Sequence, residues 1–205
     1  MHYYQKDQKH IIAAADCTGH GVPGAIMSMI GSERLDDAIL HTSNPSEILR
    51  LLNTGIKKSL KQSDHVESTR DGMDIAICSI DLEQGILSYA GANRPIWIVR
   101  KNGNELHEVK ATRKAIGGLT DDHQQFETHE IPFVSGDTFY ICSDGYADTF
   151  SQNNKKLTTK KFKEILLSIQ HKTMHEQGIY LNEFLENWKV NTEQVDDILV
   201  VGFRL

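Results

Sequence analysis

The sequence predicts an α+β fold, a layered sandwich, and three observations predict it. Two helical patterns come first, then a run of β-branched, strand-like segments joined by turn residues. Two further helical patterns follow, ahead of a last apolar strand. Segregated elements of this kind favour a layered α+β sandwich over alternating βαβ units. The last strand must return into a sheet, so the helices before it cannot mark a boundary, and one domain over residues 1–205 is expected.

The apolar run His10–Ala15 ends at Asp16 and reads as a buried strand. A Gly-rich turn follows, and Pro23 opens a helix to about Leu40, with Ile26, Met27, Met29, Ile30 and Leu35 as its candidate apolar face. Asn44 as N-cap, Pro45 at N1 and Glu47 at N3 start the next helix, whose Ile48, Leu51, Leu52, Ile56 and Leu60 keep helical spacing. Asp74–Asp81, Ile86–Ala90 and Pro95–Arg100 are strand-like, with turn chemistry at Glu83-Gln84-Gly85 and Gly91-Ala92-Asn93. Lys101-Asn102-Gly103-Asn104 is a hairpin turn into Glu105–Val109. Gln125–Ile131 and Thr138–Ser143 add two strands around a tight turn at Ser135-Gly136-Asp137. Helices return over 158–189, and Ile198–Arg204 reads as a strand buried on both faces or nearly so.

Composition narrows the function classes. The 205 residues can bury a real core without staples, and 39% apolar with 24% charged residues suits a globular chain, not a disordered one. The net charge of −6, with no basic run, argues against nucleic acid as the main partner. No stretch approaches the ~18 apolar residues of a membrane helix, so no direct membrane insertion is expected. Met1–Asp7 has no apolar h-region, so no signal peptide is expected. Cys17, Cys78 and Cys142 form no CxxC pair, and the last two sit in apolar runs, which points to reduced core thiols and the cytoplasm. The ten histidines make no HExxH motif, so a zinc site from them is not expected.

Carboxylates carry the chemistry. Asp16 ends one apolar strand at the turn Asp16-Cys17-Thr18-Gly19-His20-Gly21, Asp144 ends another, and Asp196 and Asp197 open a third. A single Asp beside a Gly is more often a turn or cap residue. Three strand-end motifs in one small chain favour a metal site instead, because clustered carboxylates repel unless cations neutralise them. Oxygen-only ligands suit Mg²⁺ or Mn²⁺. The Gly-rich turn lacks the Lys-Ser/Thr ending of a Walker A loop, and its glycines fit better as close backbone approach to a cation, with a main-chain carbonyl as ligand.

Five blocks in order, ADCTGHGVPGA, DGMDIAICSID, YAGANRPIWIV, CSDGYADTF and QVDDILVVGF, resemble the bacterial SpoIIE-type branch of the metal-dependent serine/threonine phosphatases, relatives of protein phosphatase 2C. The resemblance runs from about Tyr3 to the C-terminus. It implies an α-β-β-α sandwich of two antiparallel sheets flanked by helices, with two Mn²⁺ or Mg²⁺ ions at one end. It assigns Asp16 as the bridging ligand, the Cys17 carbonyl as main-chain ligand, and Asp144 and Asp196 as further ligands. Asp197 takes a supporting role. Asp71, Asp74, Gly19 and Asn93 lie in family motifs; Asp74 either serves an accessory metal or orients its loop. His20 is a candidate proton donor or, more blandly, a polar helix-start residue.

The reaction implied is metal-assisted hydrolysis of phosphoserine or phosphothreonine on a protein in bacterial signal transduction, by in-line attack of water. No cysteine sits in a Cys-x5-Arg loop, which disfavours a cysteine phosphatase. In relatives an acidic residue on the first strand helps hold metal-bound waters, and the family pattern places Met1 just after it. The first strand is therefore expected to be truncated, the chain to be the catalytic end of a longer protein with an upstream sensor or signalling domain, and its activity to be weak. The alternative is a non-catalytic pseudophosphatase that binds a partner.

Overall fold

Secondary structure changes where the apolar pattern changes period. The computed structural model describes every residue except His20, 63–69, Asn191 and Val195. In chain order the elements are β1 (His2–Lys6), β2 (Lys9–Cys17), α1 (Gly21–His41), α2 (Pro45–Ser59), β3 (Gly72–Asp81), β4 (Ile86–Ala92) and β5 (Ile96–Val99). There follow β6 (Leu106–Val109), β7 (Ile116–Gly117), β8 (His129–Pro132), β9 (Thr138–Cys142), α3 (Gly145–Asp148), α4 (Thr159–Ser168), α5 (Met174–Lys189) and β10 (Val200–Arg204). One sheet runs β1-β2-β3-β4-β8 with β7 attached to β3, and a second runs β10-β9-β5-β6. The α+β class with two antiparallel sheets and helices is as expected.

The chain packs as two compact units. The first comprises Met1–Ile96 and Val109–Phe133. Its core joins Ile11 and Ala13 of β2 and Ile75 and Ile77 of β3 to Met27 and Leu35 of α1 and Ile48, Leu52 and Ile56 of α2. Each such buried aliphatic side chain contributes roughly 1.5–3 kcal/mol of transfer free energy. α2 starts as the sequence predicts: Asn44 Oδ1 accepts from the Ser46 and Glu47 amides at 3.0 and 3.3 Å. Glu47 forks onto Arg50 (2.6 and 2.8 Å) rather than reaching back to the cap.

The α1 face differs from expectation. Ile26 and Met29 are exposed, and the buried stripe is Gly24, Met27, Gly31, Leu35 and Ala38. Met27 and Leu35 are buried as expected, and glycines fill the stripe where α1 comes closest to its neighbours. A Cβ on Gly31 would meet Met73 Cε at 2.6 Å, and one on Gly24 would meet the Gly19 carbonyl oxygen at 2.6 Å.

β1 carries no apolar alternation and was not signalled by periodicity. It pairs along its whole length with β2, from His2 opposite Ala13 to Lys6 opposite Lys9. Of its half-buried residues, Tyr4 packs against the core, and Lys6 Nζ donates to the Ile39 carbonyl (2.7 Å) and to that of Leu40, satisfying the last turn of α1. β1 is thus a paired five-residue strand at the edge of its sheet. Two other expectations are corrected in detail. Residues 125–128 form no strand, although Phe126 is buried, and β8 is confined to His129–Pro132. β4 also runs on through Gly91 and Ala92, which were expected in a turn, and the chain then passes to β5 in the other sheet.

The second unit comprises Trp97–Glu108 and Val134–Leu205. Phe162 is its aromatic centre, stacked on Tyr146 with ring centroids 4.2 Å apart and edge-on to Trp97 at 5.4 Å. Ile165 and Leu166 of α4 and Leu181 and Leu185 of α5 complete this core. β10 does return into the sheet, pairing antiparallel with β9. It is an edge strand, however, and Val201 is its one fully buried residue, so the expected burial on both faces does not hold.

α5 begins with a capping box, in which the Thr173 hydroxyl accepts from the Glu176 amide and Glu176 Oε2 accepts from the Thr173 amide at 2.8 Å. Thr173→Ala should cost about 1 kcal/mol, read as a lower urea midpoint with unchanged slope. An unchanged midpoint would show that the box adds nothing to stability. No helix among the described residues is long and apolar enough to cross a membrane.

Candidate active site

In the first unit the β2–β3 register sets two acids side by side. Asp16 is opposite Asp74, and Cys17 opposite Met73. Thr18 locks the end of this ladder: its amide donates to the Gly72 carbonyl (2.9 Å), and its hydroxyl accepts from the Gly72 amide (2.9 Å). Gly19 then takes φ +91°, a conformation that glycine adopts freely, and the chain turns into α1. Gly19, Gly21 and Gly24 have G-x-G-x-x-G spacing, but β2 lies in antiparallel ladders, outside the parallel βαβ unit that a dinucleotide site requires.

A cation already sits between the two carboxylates. Arg94 Nη2 lies 3.2 Å from Asp16 Oδ2 and 3.0 Å from Asp74 Oδ2, with all three side chains mostly withdrawn from solvent. Asn93 Nδ2 donates to the other Asp74 oxygen at 2.8 Å. Two partly buried carboxylates at this spacing need neutralising charge. Carboxylate oxygens are the donor type that a hard divalent cation takes, and here the Arg94 guanidinium meets their charge.

Local backbone explains why Arg94 points there. Asn93 adopts φ +60°, its amide bonds the Thr112 carbonyl at 2.9 Å, and the Tyr89 hydroxyl donates to the Arg94 carbonyl at 2.6 Å. A Cβ at Gly91 would collide with both that hydroxyl and that carbonyl, so only glycine fits. Sequence reasoning picked out Asn93 in this motif and missed Arg94. The signal was a cationic side chain between Asn and Pro at the end of a buried strand. Asp74 holds Asn93 and Arg94, and Asp71 lies just ahead of β3 with its carbonyl accepting from Gln62 Nε2 (2.6 Å).

In the second unit Asp144 occupies the N-cap position of α3, yet its side chain accepts no capping bond there. Ser143 and Gly145 fasten the turn to the segment ahead of β10. The Ser143 amide donates to the Leu199 carbonyl (2.9 Å), its hydroxyl donates to the Asp197 carbonyl (3.0 Å), and it accepts from the Leu199 amide (2.9 Å). Gly145 lies against the Asp197 carbonyl with no room for a Cβ. Asp197 thus contributes its main chain to the turn. Asp196 is exposed, and its carboxylate accepts from the Asp197 amide at 2.8 Å.

Among the described residues of either unit, no three His, Cys, Asp or Glu side chains are grouped closely enough to hold a metal ion. His20 lies outside the described residues. None of the three cysteines is in a disulfide, and Cys78 is fully buried. Burial pushes its thiol well above the ordinary range. Burial also pushes the Cys17 thiol up, against a lowering hydrogen bond with Ser28, and the neighbouring Asp16 charge adds to the rise. Both thiols are held in the form that is not nucleophilic.

Residues 6–205 match the model of the family described as Stage II sporulation protein E (SpoIIE). The phosphoserine phosphatase RsbU of Bacillus subtilis (strain 168) is 28% identical over 157 residues, 74% of this chain and 43% of RsbU. The chain thus spans less than half the length of that relative. Among solved structures, the SiaA-PP2C domain of Pseudomonas aeruginosa matches with a TM-score of 0.87 and 27% identity, over 99% of this chain and 78% of that one. The PP2C phosphatase domain of SpoIIE from Bacillus subtilis, solved with a fragment of its regulatory domain, matches with a TM-score of 0.73 at 19% identity, over 100% of this chain and 58% of that one. RsbX in complex with magnesium matches at 0.64 and 18%, over 98% and 83%; these last two likenesses speak for the fold alone.

Proposed function

The chain belongs to the SpoIIE family, and from that premise we propose that it hydrolyses phosphoserine or phosphothreonine on a protein substrate in bacterial signalling, with Mn²⁺ or Mg²⁺ as cofactor. The observation that carries this reading is the pairing of the Asp16 and Asp74 carboxylates at the end of the β2–β3 ladder, bridged by the Arg94 guanidinium. Asp16, the Cys17 carbonyl, Asp144 and Asp196 are the proposed metal ligands. The metal, when bound, supplies an acidified water and neutralises charge on the phosphoryl oxygens.

The chain's own residues hold the rest. Thr18 fixes the end of β2, which places the Asp16 carboxylate and the Cys17 carbonyl together on one rigid strand end. Ser143 and Gly145 fix the turn that carries Asp144. Cys17 and Cys78 take no nucleophilic part, which supports direct attack by water over a phosphocysteine route. The absence of a disulfide among the three cysteines supports a cytoplasmic location, or the cytoplasmic side of a membrane-anchored longer protein. An upstream sensor or signalling domain is the partner proposed in that longer chain.

The test is hydrolysis of p-nitrophenyl phosphate and of a phosphoseryl peptide with and without MnCl₂. Turnover should appear with the metal, vanish with excess EDTA, and be lost in Asp144→Asn. Mn²⁺ binding without turnover of either substrate would favour the partner-binding pseudophosphatase instead.

A further inference from the structure

We propose that Arg94 is a built-in counter-cation for the Asp16–Asp74 pair, a positioning residue that competes with the divalent metal for Asp16 and thereby sets metal affinity. The proposal rests on Asp16 being a metal ligand. One nitrogen, Nη2, lies within ion-pair distance of both carboxylates, at 3.2 and 3.0 Å. The contact is built in, because the backbone that aims Arg94 is fixed on every side. The Tyr89 hydroxyl holds its carbonyl, its amide bonds the Ala92 carbonyl at 2.8 Å, Asn93 is locked at φ +60°, and Gly91 leaves no space for adjustment.

The charge arithmetic gives the sign. Without metal, the guanidinium neutralises two carboxylates that would otherwise repel, so the ladder end is stable with no cation added. A divalent ion that takes Asp16 must share or displace Nη2 and then sits beside a fixed positive charge. Asp74 stays with Arg94, since Asn93 Nδ2 anchors its second oxygen. Arg94 thus keeps the metal-free strand end in order while weakening metal binding. Removing its charge should tighten binding, whereas a purely structural arginine would weaken binding when lost.

Titration of MnCl₂ into the full 205-residue chain by calorimetry separates the two. Arg94→Gln should bind Mn²⁺ about tenfold tighter than the wild type, and Arg94→Lys, which keeps the charge, should bind within a few-fold of it. Binding by Arg94→Gln that is equal or weaker, while the wild type binds and Asp16→Asn does not, overturns the proposal alone. Absence of Mn²⁺ binding by every form overturns the metal reading together with it. A second readout needs no variant. In ¹⁵N spectra of the wild type, the Arg94 guanidinium signals should shift along the same isotherm as Mg²⁺ binding, and signals that stay fixed while Mg²⁺ binds overturn the competition.

Discussion

Asp16→Asn should abolish metal-dependent phosphatase turnover while leaving the fold in place. The loss should exceed the roughly 10–100-fold typical of changes one shell away from a metal, because Asp16 is the proposed shared ligand. Asparagine keeps the shape of the side chain and can still accept a hydrogen bond from Arg94 Nη2, so the ladder end stays connected. The β2–β3 pairing is a main-chain property running from His10 opposite Ile80 to Cys17 opposite Met73, and it does not depend on that carboxylate. Far-UV circular dichroism should therefore match the wild type, and the thermal midpoint should move by only a few degrees. What disappears is one of the negative charges that makes this strand end attractive to a hard cation. Measured turnover of a phosphoseryl peptide at saturating MnCl₂ decides the matter. An Asp16→Asn chain that retains a tenth or more of wild-type kcat would remove Asp16 from the ligand set.

How much of this was legible in the sequence depended on whether side chains or backbone carried the signal. The cap of α2 was written in Asn44-Pro45, the β3 strand in its β-branched run, and the turn at Ser135-Gly136-Asp137 in its residue types; each is where it was expected. On α1 the buried Met27 and Leu35 were legible from apolar spacing, whereas Gly24 and Gly31 were not, because hydrophobic patterning gives glycine no weight. β1 was hidden for the opposite reason: its inward His2, Tyr4 and Lys6 give no apolar alternation, and Tyr4 and Lys6 find polar partners on α1, where Lys6 answers the carbonyls of the last turn. The strand-end acids stood out one by one. The juxtaposition of Asp16 with Asp74 needed the register, and the intervention of Arg94 needed the backbone fixed at 91–94. A motif read residue by residue does not reveal which of its members touch.

Asp137→Asn should cost about 3 kcal/mol at neutral pH, the largest stability effect expected outside the apolar cores. Asp137 is fully buried, and its carboxylate accepts from Arg100 Nη1 (2.6 Å), the Lys101 amide (2.9 Å) and the Val134 amide (3.3 Å). Its own main chain accepts from the Leu205 amide at 3.0 Å, so one residue joins the β5–β6 turn, the turn before β9 and the chain's C-terminal end. The Arg100 side chain is 41% exposed and can be rehydrated. Most of the loss therefore falls on the two main-chain amides, which would face an amide group able to satisfy only part of their need. Burial alone would push the Asp137 carboxyl up, but the Arg100 hydrogen bond and the two amides outweigh it and hold the group below the usual carboxylate range. A carboxyl whose folded pKa lies below its unfolded value of about 3.9 contributes its full stability above that value. The contribution is lost as pH falls through the lower, folded pKa. Urea midpoints of wild type and Asp137→Asn should thus differ by a constant amount from pH 7 down to about 5, then converge as the solution is taken toward pH 2. A difference that persists undiminished into strong acid would show that a neutral carboxyl serves equally well, and that charge at Asp137 is not what fastens these turns.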